Sequence, residues 1–447
     1  MKKIILIIIL ALFSTLYNFM YSQSIAAGVD FSLFLCASGS VQAVGDNTSH
    51  QLGVTGYPGI IRIAAGDDHS VLLKNDGTVW AVGDNENGQL GRGTYTSGLV
   101  LTQVIGLSGI TKIAAGRDHS LFLKNDGTVW AVGRNASGQL GDGTAVGKNI
   151  PVQLVGLTGM IGIAGGASHS LFIKNDGTVW VTGNNIYGQL GLGNSVYYKT
   201  TPTQIVGLSG IIGVAAGEAF SLFLKNDGTV WAVGRNASGQ LGDGTFVDKW
   251  LPVQVVGLTD ITSIYTGAFH SLFLKNDGTV WSVGSNIYGQ LGDGTTITRS
   301  SPVQVSGLTG IIEVSAGSHH SLFLKNDGTV WATGNNAYGQ LADGSTYNVR
   351  TPQQTVGLCS VMLGMTENSS EKNMAVYPNP CNEQLFVELE DYQNTTAEIF
   401  TMQGQLVQSV PLQNTKTTLQ INNLSSGIYL IKVTSPNKTT LNKIVKN

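Results

Sequence analysis

Histidine is the residue type in this chain that could bind a metal ion or exchange protons near neutral pH. It recurs at one position of a repeated phrase, as His69, His119, His169, His270 and His320. Two other copies carry Phe31 and Phe220 there. A position shared by histidine and phenylalanine indicates a partly buried packing site where the imidazole adds a hydrogen bond. One histidine per repeat does not match zinc-ligand spacing, so we predict no metal. His50 and His319 lie outside the series, and we expect them in loops.

Aspartate also recurs, in the phrase Gly-Asp-Gly-Thr at 141–144, 242–245 and 292–295. The phrase looks like part of a calcium loop, but it has too few oxygen ligands at the offsets of an EF-hand. We interpret it as a structural turn. The chain contains no GxSxG elbow, HExxH, phosphate loop or nucleophilic Cys–His pair. We therefore predict no catalytic residue and no cofactor.

The same repeats also contain a phrase, Lys-Asn-Asp-Gly-Thr-Val-Trp, that recurs every 50 or 51 residues. It occurs at 74–80, 124–130, 174–180, 225–231, 275–281 and 325–331, with a worn copy at 36–42. Asn-Asp-Gly between two short β-rich runs predicts a tight hairpin, because these residues tolerate positive φ. A full repeat contains four such runs, whereas the first repeat lacks about twelve residues that include the long loop and the fourth run. Seven repeats of this kind predict an all-β, seven-bladed β-propeller, whichever blade receives the final strand.

Six tryptophans occupy one repeat position, which predicts packing between blades. They are Trp80, Trp130, Trp180, Trp231, Trp281 and Trp331. The alternative is a row of rings that stacks on a ligand. Burial of one such ring is worth roughly 4–6 kcal/mol as an upper estimate.

The N-terminus has the pattern of an export signal at 1–22. Lys2 and Lys3 precede an apolar run, and small residues surround Ser22. A retained membrane anchor is the alternative, and no later segment is apolar enough to span a bilayer. With a net charge of −3 and 12% charged residues, the chain has no basic surplus to bind nucleic acid.

Cysteine usage indicates at most one bridge. Cys36, Cys359 and Cys381 are scattered, and we expect no disulfide, although Cys359 and Cys381 could pair across a linker. We predict a propeller at 24–358, a polar linker at 359–374 and a small antiparallel β-sandwich at 375–447.

The repeats resemble those of the regulator of chromosome condensation family. The matching phrases are Ala-Ala-Gly-x-x-His-Ser, Asp-Gly-x-Val-Trp-x-x-Gly and Asn-x-x-Gly-Gln-Leu-Gly. The resemblance covers about three quarters of the chain and implies a seven-bladed propeller. It also suggests guanine-nucleotide exchange, which we disfavour because the repeats are evenly spaced and no basic tail is present.

The last segment resembles the C-terminal sorting domain of the type IX (Por) secretion system of Bacteroidetes. The matching residues include Tyr377, Pro378, Asn379, Pro380, Gly427, Tyr429, Lys443 and Lys446. The resemblance implies export across an outer membrane through the type IX machinery, with attachment to the cell surface or release.

Differences between the copies indicate a binding face. If the strands of a blade are A to D, the A–B and C–D connections lie on one side and the Asn-Asp-Gly turns on the other. The copies differ in these connections, and surface loops on a rigid scaffold commonly carry binding residues. We predict binding through Tyr95, Arg117, Tyr197, Tyr198, Phe246, Trp250, Phe269, His319 and Tyr347. The alternative is that these aromatic side chains fold back over their own loops.

Three functions follow. We favour a secreted or surface-displayed, non-catalytic propeller that binds an unknown protein or glycan as an interaction or adhesion module. A secreted enzyme inhibitor is the first alternative, because some secreted bacterial propellers with similar repeats inhibit β-lactamases. Nucleotide exchange by family analogy is the second.

Overall fold

The structure is a computed structural model. The structure describes residues 24–193, 196–359, 361, 374–377, 383–389, 393, 395–401, 406–424, 427–435 and 438–446. The predicted signal peptide at 1–22 and most of the predicted linker lie outside these residues. The chain divides into two compact units, Met1–Gly364 and Met365–Asn447.

The first unit is a ring of seven antiparallel sheets, which confirms the seven-bladed β-propeller. Strands within a blade follow chain order, and we name them A to D. The A strands of neighbouring blades contact one another, so they surround the central axis and the D strands form the outer rim.

Blade 1 has three strands, β1 (Ile25–Ala27), β2 (Phe31–Leu35) and β3 (Val41–Gly45). Blade 2 has β4 (Ile60–Ala65), β5 (His69–Lys74), β6 (Val79–Gly83) and β7 (Gly98–Gln103). Blade 3 has β8 (Ile110–Ala115), β9 (His119–Lys124), β10 (Val129–Gly133) and β11 (Lys148–Gln153). Blade 4 has β12 (Met160–Gly165), β13 (His169–Lys174), β14 (Val179–Asn184) and β15 (Tyr198–Gln204).

The remaining blades repeat this order. Blade 5 has β16 (Ile211–Ala216), β17 (Phe220–Lys225), β18 (Val230–Gly234) and β19 (Lys249–Gln254). Blade 6 has β20 (Ile261–Thr266), β21 (His270–Lys275), β22 (Val280–Gly284) and β23 (Arg299–Gln304). Blade 7 has β24 (Ile311–Ala316), β25 (His320–Lys325), β26 (Val330–Gly334) and β27 (Val349–Gln354).

The Asn-Asp-Gly phrase forms the B–C hairpin of each of blades 2 to 7. In blade 2, Gly77 has a φ of 79°, a conformation that favours glycine. Asp76 Oδ1 accepts hydrogen bonds from the Thr78 N–H at 2.9 Å and the Thr78 hydroxyl at 2.6 Å. The Asp76 carboxylate therefore stabilises its own turn through these hydrogen bonds.

The repeated tryptophans pack against the apolar core of the preceding blade. Trp80 packs against the cluster that contains Leu33 in blade 1, and Trp281 against the cluster that contains Leu222 in blade 5. The Trp80 Nε1–H donates to Thr78 Oγ1 at 3.1 Å. Each ring thus joins two blades.

The repeated histidines also join blades, and they are completely buried rather than partly buried as the sequence suggested. His69 Nε2 lies 3.0 Å from Ser120 Oγ in the next blade, and the Ser120 hydroxyl donates to the Gln89 carbonyl at 2.9 Å. Since the serine proton is committed to that carbonyl, Nε2 must donate and Nδ1 stays unprotonated. The same pairs recur as His119–Ser170, His169–Ser221, His270–Ser321 and His320–Ser32.

Blade 1 keeps three strands, because the last strand of the propeller, β27, pairs with β26 in blade 7. Side chains and backbone close the ring instead. The Ser32 hydroxyl donates to the Gln340 carbonyl at 2.8 Å, and the Ser318 N–H donates to the Gly28 carbonyl at 3.3 Å. The buried carboxylate of Glu313 accepts the Ser24 N–H at 2.8 Å.

A disulfide bond between Cys36 and Cys359 links the first blade to the segment after the last, with 5.7 Å between the Cα atoms. The prediction of no disulfide is wrong, and so is the possible pairing of Cys359 with Cys381, which lies outside the described residues. The two cysteines are 323 residues apart, and only closure of the ring brings them together.

The second unit is a small antiparallel β-sandwich, as predicted. One sheet has the order β28 (Met374–Tyr377), β29 (Gln384–Leu389) and β32 (Lys416–Gln420). The other has β31 (Leu406–Pro411), β30 (Thr396–Thr401), β33 (Gly427–Ser435) and β34 (Lys438–Lys446).

The predicted sorting residues fall at the ends and in the core of this sandwich. Gly427 begins β33, and Tyr429 is buried in the core with Leu385 and Ile444. Lys443 and Lys446 lie in β34, and Tyr377 ends β28. Pro378, Asn379 and Pro380 lie outside the described residues.

Candidate binding face

The A–B and C–D connections lie together on one side of the propeller, which we call the A–B face. The residue that follows the last glycine of each C strand hydrogen-bonds to the A–B turn of its own blade. The Asp84 N–H donates to the Asp68 carbonyl at 2.9 Å, and the Arg235 N–H to the Ala219 carbonyl at 2.9 Å. On the opposite side, the Asn75 N–H in the B–C turn donates to the Gly59 carbonyl. Residues that differ between repeats therefore share a face.

At the centre of this face, Arg117 bridges two carboxylates across the channel mouth. Its side chain lies 3.0 Å from Asp67 and 3.1 Å from Glu218. These residues line a cavity of about 100 Å³, whose walls are the ends of the A strands. Burial raises the pKa of Asp67 to about 7, although Arg117 opposes this shift.

Aromatic side chains and one arginine form a continuous row across blades 4 to 7. The Arg235 guanidinium lies 5.2 Å from the ring centroid of Tyr187 and 5.7 Å from that of Phe269. Phe269 stacks on His319 at 5.9 Å, and His319 contacts Tyr288 at 5.0 Å. We call these five residues the aromatic row. Such contacts between a cation and ring faces are individually worth about 0.5–2 kcal/mol.

Carboxylates dominate the same face on blades 1 to 3. Asp30, Asp68 and Asp118 occupy equivalent A–B positions, and Asp46 and Asp84 follow the C strands. Burial, then the charges of the other four aspartates, raise the pKa of Asp68. The A–B face is therefore divided into an acidic part and an aromatic part.

The predicted binding residues do not form one cluster. Phe269 and His319 lie in the aromatic row, and Arg117 lies at the channel mouth. Tyr198 and Trp250 lie in the D strands β15 and β19 rather than in loops, and the backbone of Trp250 passes directly over Gly188. The others are exposed on the C–D connections, as Tyr95, Tyr197, Phe246 and Tyr347.

The sequence reasoning missed Tyr187, Arg235 and Tyr288. They lie at the start of the C–D connection, directly after the C strand or inside the Asn-x-x-Gly phrase. The phrase looked uniform because its asparagine and glycine recur. Comparison of its variable positions between copies would have identified them.

The Gly-Asp-Gly-Thr phrase forms a turn, as predicted. Asp142 Oδ1 accepts the Thr144 N–H at 2.9 Å and the Asn135 Nδ2–H at 3.0 Å, and Lys148 lies 3.4 Å away. Within the part of the chain that the structure describes, no group of histidine, cysteine and acidic side chains could hold a metal ion.

Both units match known families. Residues 22–260 match the RCC1-like domain, and 277–324 and 327–362 match the regulator of chromosome condensation (RCC1) repeat, which 261–290 and 311–340 also match in a second form. Residues 375–447 match the secretion system C-terminal sorting domain, which indicates type IX export to the cell surface or the medium. No helix among the described residues is long and apolar enough to cross a membrane. No curated protein sequence matches the chain.

Solved propellers resemble the first unit. Human WBSCR16 is 26% identical with a TM-score of 0.62, over 68% of this chain and 87% of that protein. Yeast RCC1 (Prp20), solved bound to Kap60, is 21% identical with a TM-score of 0.62, over 81% and 88%. Prp20p from Saccharomyces cerevisiae is 21% identical with a TM-score of 0.62, over 81% of this chain and 91% of that protein. Because the RCC1-like match covers more than half of the chain, this protein belongs to the RCC1-like propeller family and carries a C-terminal secretion-system sorting domain.

Proposed function

We propose that the mature protein is a secreted or surface-displayed, non-catalytic propeller that binds a protein or glycan through its A–B face. The observation that carries this proposal is the aromatic row on blades 4 to 7. Aromatic side chains and arginine are the usual anchors of protein interfaces, because they bury a large area at a small cost in conformational entropy.

The contacts within the row support this role. Arg235 and His319 each lie between two rings, and they share the ring of Phe269. A partner would therefore meet side chains that are already ordered. Tyr187 is 38% exposed, and Ile186 and Ile287, which directly precede the two tyrosines of the row in the chain, are also exposed. An apolar patch of this kind next to carboxylates fits a partner that combines an apolar contact with a basic edge.

The proposal includes no catalytic step and no cofactor. The aromatic row consists of rings around one arginine, and the carboxylates at the channel mouth are paired with Arg117. We extend the proposal to export: residues 1–22 direct the chain across the inner membrane, and the sorting domain at 375–447 engages the type IX machinery. The propeller at 24–358 and the linker at 359–374 would then be the cargo and its connection.

The test compares ligand capture by the wild type with that by the double variant Tyr187→Ala plus Arg235→Ala. Both proteins would be applied to a glycan array and to extracts of neighbouring bacterial cells. We expect the double variant to lose at least tenfold in the binding of the main ligand, because it removes both members of the cation–ring contact at one end of the row.

Arg134→Ala is the matched control, since Arg134 occupies the same repeat position but pairs with Asp118 at 3.3 Å instead of a ring. A second arm, Tyr197→Ala plus Trp250→Ala, tests the outer rim. Equal capture by the wild type and the Tyr187 and Arg235 double variant, with circular dichroism unchanged, would remove the proposed face.

A further inference from the structure

Within the described ranges, no strand covers the outer edge of blade 1, whereas a D strand covers the corresponding edge in the other blades. In blade 2, the Val79 carbonyl accepts the Val104 N–H at 2.9 Å, and Ala81 pairs with Thr102 of β7. Val41 and Ala43 are the equivalents in β3, and β3 pairs only with β2 among the described strands. The alternation of the ladder directs the N–H and C=O groups of Ala43 away from β2. Among the residues that the structure describes, β3 therefore presents an unpaired backbone edge.

The burial of the C-strand residues supports an open edge at β3. The last three residues of the C strand are buried in each of blades 2, 3, 5, 6 and 7, as in Ala81–Gly83. In β3, every residue after Val41 is half-buried. The difference follows from the missing D strand, which would remove this edge from solvent.

The edge of β3 forms one wall of a groove, and the C–D connection of blade 7 forms the other wall. In blade 6, a Cβ added at Gly289 would lie 2.7 Å from the Cα of Arg350, because the next D strand crosses it. Gly88, Gly138, Gly188 and Gly239 are crossed in the same way. The equivalent in blade 7, Gly339, has its nearest atom at 3.9 Å, within its own loop. We call the groove between β3 and residues 336–344 the strand slot.

In the strand slot, the N–H of Gly344 also lacks the described backbone acceptor that the equivalent N–H groups of other blades have. The Gly294 N–H donates to the Arg350 carbonyl at 3.0 Å, and the Gly244 N–H to the Ser300 carbonyl at 2.9 Å. Gly344 occupies the same position in blade 7, and no described residue offers its N–H a backbone acceptor. Two walls and one donor thus repeat the arrangement that holds a D strand elsewhere.

The D strands show which sequence fits such a slot. In blade 6, β23 reads Arg-Ser-Ser-Pro-Val-Gln, and its Val303 pairs with Ser282 of the C strand. Pro302 takes the position whose N–H would point outward, and prolines recur there as Pro151, Pro202, Pro252 and Pro352. Proline at this position blocks further strand addition to the outer rim. β3 has no proline, so its edge is open to pairing.

We infer that the strand slot binds an extended segment of a partner protein, whose sequence resembles Ser/Thr-Pro-Val-Gln, as an added fourth strand of blade 1. Backbone hydrogen bonds to Ala43 would supply affinity, and the residue that crosses Gly339 would supply specificity. The exposed Tyr338 and Tyr347 lie in the chain on either side of residues 339–344 and would contact the ends of the segment. The inference does not depend on the aromatic row.

The probe is a fluorescently labelled peptide, Arg-Ser-Ser-Pro-Val-Gln, a copy of β23, measured by fluorescence anisotropy with the purified mature full chain. We expect saturable binding by the wild type and at least a tenfold loss in Ala43→Pro, which removes the outward N–H. Gln304→Pro is the matched control, because it places proline at another exposed edge position away from the slot.

A second measurement leaves the protein unchanged. N-methylation of the peptide at its valine, the counterpart of Val303, should abolish binding, while N-methylation at its glutamine should leave it intact. The absence of saturable binding by the wild type, or equal binding of both methylated peptides, would overturn the inference. A protein dimer that the peptide dissociates would assign the slot to a second copy of the chain and would also overturn it. Arg235→Ala should leave peptide binding unchanged.

Discussion

The five buried histidines hold neighbouring blades together as neutral side chains. Burial lowers the pKa of His69 and His169 to about 4, and that of His119, His270 and His320 to about 3. Protonation would place a charge on Nδ1, which has no partner among the described residues. An uncompensated buried charge is strongly unfavourable.

This predicts a loss of stability in acid. A histidine with a folded pKa below its unfolded value of about 6.5 stabilises the fold at neutral pH, and this stabilisation is lost as the pH falls from about 6.5 towards 4. In His69→Phe, the pH-dependent loss of unfolding free energy over this window should be smaller by up to about 3 kcal/mol. Urea denaturation at several pH values measures the unfolding free energy of both proteins. The difference between the two proteins cancels the contributions of the other titratable groups.

The chain itself offers the control for this substitution. Phe220 occupies the histidine position in blade 5, and there the Ser271 hydroxyl still donates to the Gln240 carbonyl at 2.7 Å. At pH 7, His69→Phe should therefore cost only about 1 kcal/mol for the lost hydrogen bond. An unchanged pH dependence would show that His69 does not stay neutral in the fold.

Two equivalent glycines should respond differently to the same substitution. Gly289 and Gly339 have φ values of 85° and 77°, so alanine at either position costs about 1–2 kcal/mol for the left-handed conformation. Gly289→Ala should cost about 1–3 kcal/mol more, because its Cβ would lie 2.7 Å from Arg350 Cα. Urea denaturation of both variants measures the difference, and equal losses would contradict an open strand slot.

At the scale of the strands, blade 1 depends on covalent and side-chain links where the other blades use a fourth strand. The Cys359 N–H donates to Gln42 Oε1 at 2.6 Å, next to the disulfide that joins Cys359 to Cys36. Val361 then forms a single bridge with Cys36. These contacts attach the end of the propeller to its first blade.

The disulfide should therefore make a measurable contribution to stability. Cys359→Ser should lower the unfolding free energy by about 2–5 kcal/mol, the usual range for the loss of a native disulfide. Thermal unfolding without reductant provides the comparison. Cys381→Ser is the control and should leave the midpoint unchanged. A wild-type midpoint that does not respond to reductant would argue against the bridge.

At the scale of the whole molecule, the ring presents different chemistry on different blades of one face. The identical parts of the repeats are used in the hairpins and blade contacts, and the variable positions form the acidic part and the aromatic row. A rigid, closed scaffold keeps these positions in register, because each blade is fixed by two neighbours.

The sorting domain should act independently of this scaffold. Deletion of residues 375–447 should leave the thermal midpoint of the propeller unchanged, since the two units have separate cores, but should prevent its appearance on the cell surface or in the medium. Immunoblotting of cell fractions measures the distribution. Fusion of 375–447 to a periplasmic reporter is the reciprocal test, and retention of that fusion in the periplasm would contradict the role.

The sequence by itself was sufficient for the number of blades, the hairpins, the tryptophan contacts and the sandwich, because each depends on a pattern within one repeat or between adjacent repeats. Asn-Asp-Gly specifies its turn through local backbone preferences. A 50-residue period can bury its apolar faces only by stacking copies. These properties do not require knowledge of which distant residues meet.

Contacts between distant parts of the chain were decided only by the tertiary structure. Cys36 meets Cys359, and Ser32 meets His320, because the ring closes and brings its two ends together. Arg235 meets Tyr187 and Phe269 because neighbouring blades converge at the A–B face. The edge of β3 is likewise left open among the described strands because β27, the last strand of the propeller, pairs in blade 7. The physical reason is that repeat periodicity specifies how one blade packs on the next, whereas closure and shared surfaces depend on the full circle.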